Sequence, residues 1–317
     1  MVCTRYGPPE VLVQRDVVKP VPKDHEVLIR IHAAAVTVSD CYVRSGTVNL
    51  LLWLPMRIFV GFRRPRNPVL GLELAGEIEA TGKNVQRFRK GDQVMAFTGK
   101  RFGAYAEFIC LPEDGLFMPD ESILAKKPSG LSWEEAAVVP TRGMLALYFL
   151  KKGKIQNGQN VLIYGASGGV GTFAVQLARA LGADVTGVCS TRNLDLVRSL
   201  GAGTVIDYTR EKVIPGNMRY DLVFDAVGKG KTSDLKLQCQ RALAPGGKYL
   251  SVEGERPKIP GEYLQSLVEM IEKGAITPVI DRRYPLEEIA VAHRYVEEGH
   301  KQGNVVVIME QNNPEER

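Results

Sequence analysis

Cysteine is scarce and scattered in this chain. Its 317 residues hold five cysteines, Cys3, Cys41, Cys110, Cys189 and Cys239, an odd number with no C-x-x-C pair. That pattern argues against a disulfide framework and against a structural zinc lobe, and it suits a reducing, cytoplasmic setting. The four histidines, His25, His32, His293 and His300, form no spaced cluster. No apolar run reaches the roughly 20 residues that span a bilayer. There is no polybasic tail, and the net charge is only +5, from 41 basic and 36 acidic residues interspersed along the chain. An anionic ligand is permitted, but nucleic acid is not an expected partner. The start, MVCTRYGPPEV, has no charged region followed by an apolar core, so no signal peptide is expected.

What the chain does have is glycine, 32 of them, and a change of pattern near Ser132. Before that point the sequence reads as β-rich. Val27 to Ala33, Gly71 to Ala80, Gln93 to Phe97 and Tyr105 to Leu111 suggest strands punctuated by Gly and Pro. Ser132-Trp-Glu-Glu135 fits a capping box that opens a helix. From there short apolar strands alternate with helical stretches, starting with Val161 to Tyr164 and Val170 to Leu181. The alternation predicts a parallel sheet buried on both faces. A last apolar strand is expected from Asn304 to Met309.

The strongest local signal is Val161-Leu-Ile-Tyr-Gly-Ala-Ser-Gly-Gly-Val-Gly171. It follows a strand and opens a helix, the context in which a glycine fingerprint carries meaning. The register is Ala166-x-Gly168-x-x-Gly171, with alanine in place of the first glycine. Gly168 lets backbone approach a pyrophosphate, and Gly171 lets the helix pack close to the sheet. The helix start offers free N–H groups to phosphate, which makes Ser167, Gly168, Gly169 and Val170 cofactor-binding candidates. The alternative is a tight turn that holds no ligand. Where NAD sites place an acid, the second strand here ends at Ser190, followed by Arg192. A hydroxyl and a guanidinium suit a 2′-phosphate, so NADPH is the expected cofactor. Arg192 as a solvated loop residue is the alternative.

These motifs, with Gly7-Pro-Pro-Glu-Val-Leu12, Pro68 to Gly76, Lys90-Gly-Asp-Gln-Val94 and Gly303-Asn-Val-Val306, resemble the medium-chain dehydrogenase/reductase superfamily in its zinc-free quinone oxidoreductase (zeta-crystallin-like) branch. The resemblance implies an α/β protein with a GroES-like β-rich catalytic domain over 1–123 and 262–317. A Rossmann doubly wound parallel-sheet domain binding NADPH would fill 124–261. It also implies an active site in the cleft between the domains and a homodimer. The superfamily's catalytic zinc positions match Thr37, Leu72 and Thr141, so no metal is expected. Without a Lewis acid, hydride transfer to an electrophilic acceptor is better supported than alcohol oxidation. The expected activity is NADPH-dependent reduction of a quinone or of the β-carbon of an α,β-unsaturated carbonyl, with a small apolar electrophile as substrate. Two alternatives stand: an NAD(P)-dependent alcohol dehydrogenase, and a non-catalytic NADPH-binding or redox-sensing protein.

By the same resemblance Tyr42 is the candidate proton donor or orienter, with packing as its plainer role. Thr141 and Asn304 would meet the nicotinamide, and Tyr208 would flank the 2′-phosphate. The plainer roles are helix N-cap, strand start and surface aromatic. Thr37, Tyr42, Trp53 and Leu72 would line the substrate pocket. Three readings of the apolar stretch Leu50 to Phe62, which Arg63-Arg-Pro-Arg66 follows, remain open: a lid over the substrate, a buried helix, or a patch for weak membrane-surface contact over 50–66.

Overall fold

The computed structural model describes residues 1–47, 57–58, 60–113, 122–210, 218–227, 234–253, 257–299 and 301–310. Trp53 and most of the Leu50 to Phe62 stretch lie outside them. The chain divides into two compact units, Met1–Thr141 with Ile280–Arg317, and Arg142–Val279.

The first unit starts with a small antiparallel pair, β1 (Val2–Cys3) and β2 (Leu12–Val13). Strand β3 (Glu26–Val36) is buried at nearly every position except Arg30, and small Ala33, Ala34 and Ala35 let neighbours close on both sides. Thr37 then caps α1 (Val38–Ser45), which Gly46 ends in the left-handed conformation at φ 68°. Strands β4 (Glu73–Thr81), β5 (Gln93–Phe97), β6 (Phe108–Pro112) and β7 (Ile123–Lys126) follow. Helix α2 (Trp133–Ala137) begins where the capping box predicts: Glu135 N–H donates to Ser132 Oγ at 3.2 Å, and Ser132 N–H to Glu135 Oε2 at 2.8 Å.

Helix α3 (Val139–Gly153) carries the chain into the second unit. There β8 (Asn160–Tyr164), α4 (Gly169–Ala180), β9 (Asp184–Cys189), α5 (Leu194–Ser199), β10 (Thr204–Asp207), β11 (Tyr220–Asp225), α6 (Asp234–Arg241) and β12 (Leu243–Ser251) succeed one another, with α7 (Glu262–Glu272) after them. The strands form a parallel sheet in the order β10-β9-β8-β11-β12. The order reverses beside β8, where the loops diverge and ligands bind in such sheets. Phe149, Phe173 and Phe224 are fully buried in this unit, each contributing about 1.5–3 kcal/mol. Strand β12 holds Ala244-Pro-Gly-Gly247 as an irregularity opposite Tyr220 and Leu222.

The chain then returns to the first unit through β13 (Ile280–Pro285), α8 (Ile289–Glu298) and β14 (Asn304–Ile308). The seven-stranded sheet runs β13-β14-β3-β4-β5-β7, with β6 also on β3. One edge of β3 pairs with β4; on the other, β6 takes residues 26–30 and β14 takes 33–36. The crossings at 141/142 and 279/280 fall later than the expected 123/124 and 261/262. Strand β7 pairs with β5, and Gln176 in α4 holds the Thr277 backbone with bonds of 2.8 and 3.0 Å. Those bonds keep β7 in the first unit and the segment around Thr277 in the second.

His293 of α8 is fully buried among apolar residues of the first unit. Its Nδ1 lies 3.4 Å from Cys41 Sγ, and the Tyr105 ring stands edge-on at 5.8 Å. Burial, with the Arg44 guanidinium second, pushes its pKa down to about 3. The unfolded chain therefore takes up this proton below about pH 6.5 while the folded chain refuses it, so stability falls with falling pH. We predict that His293 alone removes about 2 kcal/mol of unfolding free energy between pH 6.5 and 5. Urea unfolding of His293→Gln at both pH values checks this; the variant should lose that part of the pH dependence.

Candidate functional site

The turn after β8 is built by two glycines that have no room for a side chain. Gly165 has φ 81°, in the left-handed region, and a Cβ there would strike Val227. A Cβ on Gly171 would collide with the Gly165 carbonyl oxygen. The amides of Gly165 and Ala166 both donate to Val188 O, at 3.1 and 3.0 Å, and tie the turn to β9. Gly165, not Ala166, therefore supplies the tight-turn glycine, one position earlier than the fingerprint register suggests.

Gly168 differs from these two. Its backbone is extended, with φ −81° and ψ 173°, and its Cβ would meet only Gly165 O, at 3.3 Å. The fold does not exclude a side chain here, but a ligand drawn close to this backbone would. Gly168 is the N-cap of α4 and offers no side-chain cap, and the first turn holds no acid. The first intrahelical bond runs from Thr172 N–H to Gly168 O at 2.9 Å. The amides of Gly169, Val170 and Gly171 are thus left without helical acceptors at the positive end of the helix dipole. This turn fits the pyrophosphate of a dinucleotide.

Asn193, a residue without a motif, joins the two halves of the expected cofactor site. It is 4% exposed. Its side-chain amide donates to Ser167 Oγ at 2.8 Å and to Ser190 Oγ at 3.2 Å, and its N–H bonds Ser190 O at 2.9 Å. Arg192 is exposed in the 3-10 turn Thr191–Asn193. Tyr208 is 45% exposed, and its N–H bonds Cys189 O at 3.0 Å. An acid does stand nearby: Asp207 at the end of β10 pairs in register with Cys189. Burial raises its pKa, but bonds from Thr191 (2.5 Å) and Thr209 (2.7 and 2.9 Å) and the Arg210 charge outweigh that and hold it below the usual carboxylate value. Its oxygens are turned to these partners.

A second buried polar group, also unsignalled by sequence, closes the end of β11. Asp225 is fully buried and accepts from Tyr249 and Ser251, each at 3.0 Å, and from Val227 N–H at 3.0 Å. Lys236, on the helix α6, pairs with it at 2.7 Å. The pair fixes Val227, the residue against which Gly165 packs.

The remaining candidates belong to the first unit. Thr37 is 2% exposed, and its hydroxyl is occupied by Asp40: it donates to Oδ2 at 2.5 Å and accepts from Asp40 N–H at 3.2 Å. Tyr42 is 52% exposed, and its hydroxyl makes no hydrogen bond among the described residues. Leu72 lends its carbonyl to Thr98 N–H at 2.8 Å. Thr141 is the third residue of α3 and not its cap; its buried Oγ1 has no partner among the described residues. Asn304 is 3% exposed at the start of β14.

Zinc does not suit this donor set. Leu72 carries no donor, the Thr37 hydroxyl is spent on α1, and a neutral Thr141 is a poor ligand beside thiolate or imidazole. Among the described residues no three His, Cys, Asp or Glu side chains converge to hold a metal ion.

A parallel sheet with an anion-ready turn at its reversal point, and a β-rich unit assembled from both ends of the chain, define a two-unit, Rossmann-type dinucleotide-binding protein. Comparison with known proteins agrees. The family described as "Alcohol dehydrogenase GroES-like domain" matches residues 23–120, and "Zinc-binding dehydrogenase" matches 169–266 and 254–307. The chain is 31% identical over 329 residues to the chloroplastic NADPH-dependent alkenal/one oxidoreductase of Arabidopsis thaliana, covering 96% of this chain and 78% of the relative. It is 32% identical over 342 residues to a quinone oxidoreductase of Pseudomonas aeruginosa, covering 96% and 97%. The solved quinone oxidoreductase of Coxiella burnetii superposes with a TM-score of 0.80 at 27% identity, over 96% of this chain and 97% of that one. The chain belongs to the medium-chain dehydrogenase/reductase superfamily, in its quinone oxidoreductase-like branch.

The two kinds of glycine separate experimentally. Gly171→Ala should cost about 1–3 kcal/mol of stability through overpacking against Gly165 O. Gly168→Ala should leave the melting temperature nearly unchanged and weaken dinucleotide binding. Calorimetric melting and NADPH titration of both variants check this.

Proposed function

We propose that this protein reduces a quinone, or the β-carbon of an α,β-unsaturated carbonyl, with NADPH and without zinc. The observation that carries the reading is the donor set Thr37, Leu72 and Thr141, in which nothing can polarise an alcohol as a Lewis acid does. The names of the relatives point the same way. When bound, the nicotinamide supplies a hydride. The chain's own residues hold and orient: the α4 amides take the pyrophosphate, and Gly168 leaves room for it. Asn193 fixes Ser190, and Arg192 answers the 2′-phosphate with a charge-assisted bond. Tyr208 flanks that phosphate. Thr141 Oγ1 is buried and has no partner among the described residues, which suits it to the carboxamide, with Asn304 as a second contact. Tyr42 donates a proton, or a hydrogen bond, to the acceptor oxygen as charge develops there. Its exposed phenol can recover the proton from water. The same reading takes the cytoplasm as the setting, supported by five free cysteines, and a homodimer as the assembly, supported by family resemblance.

Arg192→Ala should weaken NADPH roughly 10- to 100-fold, from loss of a charged hydrogen bond, and leave NADH nearly unaffected. Equal losses for the two cofactors would remove Arg192 from 2′-phosphate recognition. Asn193→Ala should weaken both cofactors alike. Tyr42→Phe should lower turnover about 100-fold with NADPH affinity intact; unchanged turnover would take Tyr42 out of the chemistry.

A further inference from the structure

Arg57, Ile58 and Val60 are helical, and Gly61 to Arg66 turn back on them, so the backbone is fastened while the surface is both apolar and cationic. Arg66 N–H bonds Val60 O at 2.7 Å, and Gly61 N–H bonds Arg57 O at 3.1 Å. Tyr6 OH anchors the loop from outside through Gly61 O at 2.7 Å. Arg57 faces inward: its guanidinium lies 3.8 Å from the Tyr6 ring centroid, and Nη1 donates to Phe62 O at 3.0 Å. The other three arginines, Arg63, Arg64 and Arg66, are exposed, and no ion pair engages them among the described residues. Beside them Ile58 is 53% and Phe62 65% exposed. No Asp or Glu occurs between Gly46 and Glu73. The loop surrounds an open cleft of about 600 Å³ lined by Arg57, Phe62, Arg63, Arg64 and Arg66.

Large apolar side chains held at the surface by a fastened backbone lose their exposure only against another apolar phase. Unopposed arginines around them select an anionic boundary, since each basic residue near such a surface contributes to binding and an apolar residue adds depth. We propose that Ile58 and the turn Gly61 to Arg66 dock this protein reversibly on an anionic lipid bilayer, with Ile58 and Phe62 entering the headgroup boundary and Arg63, Arg64 and Arg66 pairing with lipid phosphates and carboxylates. No helix among the described residues is long and apolar enough to cross a membrane, and the docking needs none. It does not depend on the catalytic reading given above.

Co-flotation of the full chain with vesicles of phosphatidylcholine, alone or mixed with phosphatidylserine, tests the proposal. The wild type should float with the mixed vesicles only and be released by high salt, a result that involves no variant. Replacing the three exposed arginines together (R63Q, R64Q and R66Q) should weaken binding on the order of 100-fold. I58S with F62S should abolish flotation with the melting temperature unchanged. Equal flotation with neutral vesicles would overturn the proposal, as would binding that survives the arginine substitutions. Loss of flotation in soluble glycerophosphoserine at matched phosphate would reduce the loop to an anion site. A raised KM for the acceptor in the Ile58 and Phe62 variants, with vesicle binding unchanged, would assign the loop to substrate instead.

Discussion

Helix α4 can begin where it does because position 171 has no side chain. With hydrogen there, the helix seats against the Gly165 carbonyl, and its first three amides emerge beside the turn without intrahelical acceptors. Gly165 makes the same turn possible from the strand side, through a backbone conformation that other residues resist. The neighbouring polar groups serve this geometry: Asn193 binds the turn's serine to the end of β9, and Asp225 with Lys236 holds Val227 against Gly165. Dinucleotide binding depends on that packing before any side chain contacts a ligand.

The first unit shows a different economy of polar groups. Thr37 and Asp40 cap each other's ends of α1's first turn, so a position that could face a ligand is given to helix initiation. Tyr42, further along the helix, is half-exposed, and its hydroxyl makes no hydrogen bond among the described residues. Among the described residues, what this unit offers the proposed reaction is hydrogen bonding and proton transfer, which suits acceptors that are already electrophilic.

Much of this was legible in the sequence because the signals were local. The capping box at Ser132, the strand–turn–helix of the fingerprint and the buried parallel strands each follow from short-range pattern. The tight-turn glycine was misplaced by one residue because Gly165 closes a strand in the pattern, and only its φ and its contact with Val227 separate it from Ala166. Asn193 and Asp225 were missed for a different reason. An Asn in a loop and an Asp at a strand end look like surface residues until tertiary packing buries them. Lys236 on a polar-looking helix reads as solvated, yet its side chain is 8% exposed; the buried carboxylate facing it has no signature in linear sequence.

Anaerobic turnover with quinones, enones and primary alcohols, measured in the presence and absence of a strong zinc chelator, tests the central claim most directly. The account predicts NADPH oxidation by the electrophilic acceptors at rates the chelator does not change, and no oxidation of alcohols by NADP. Stoichiometric zinc in the purified protein, with alcohol oxidation that the chelator abolishes, would contradict it.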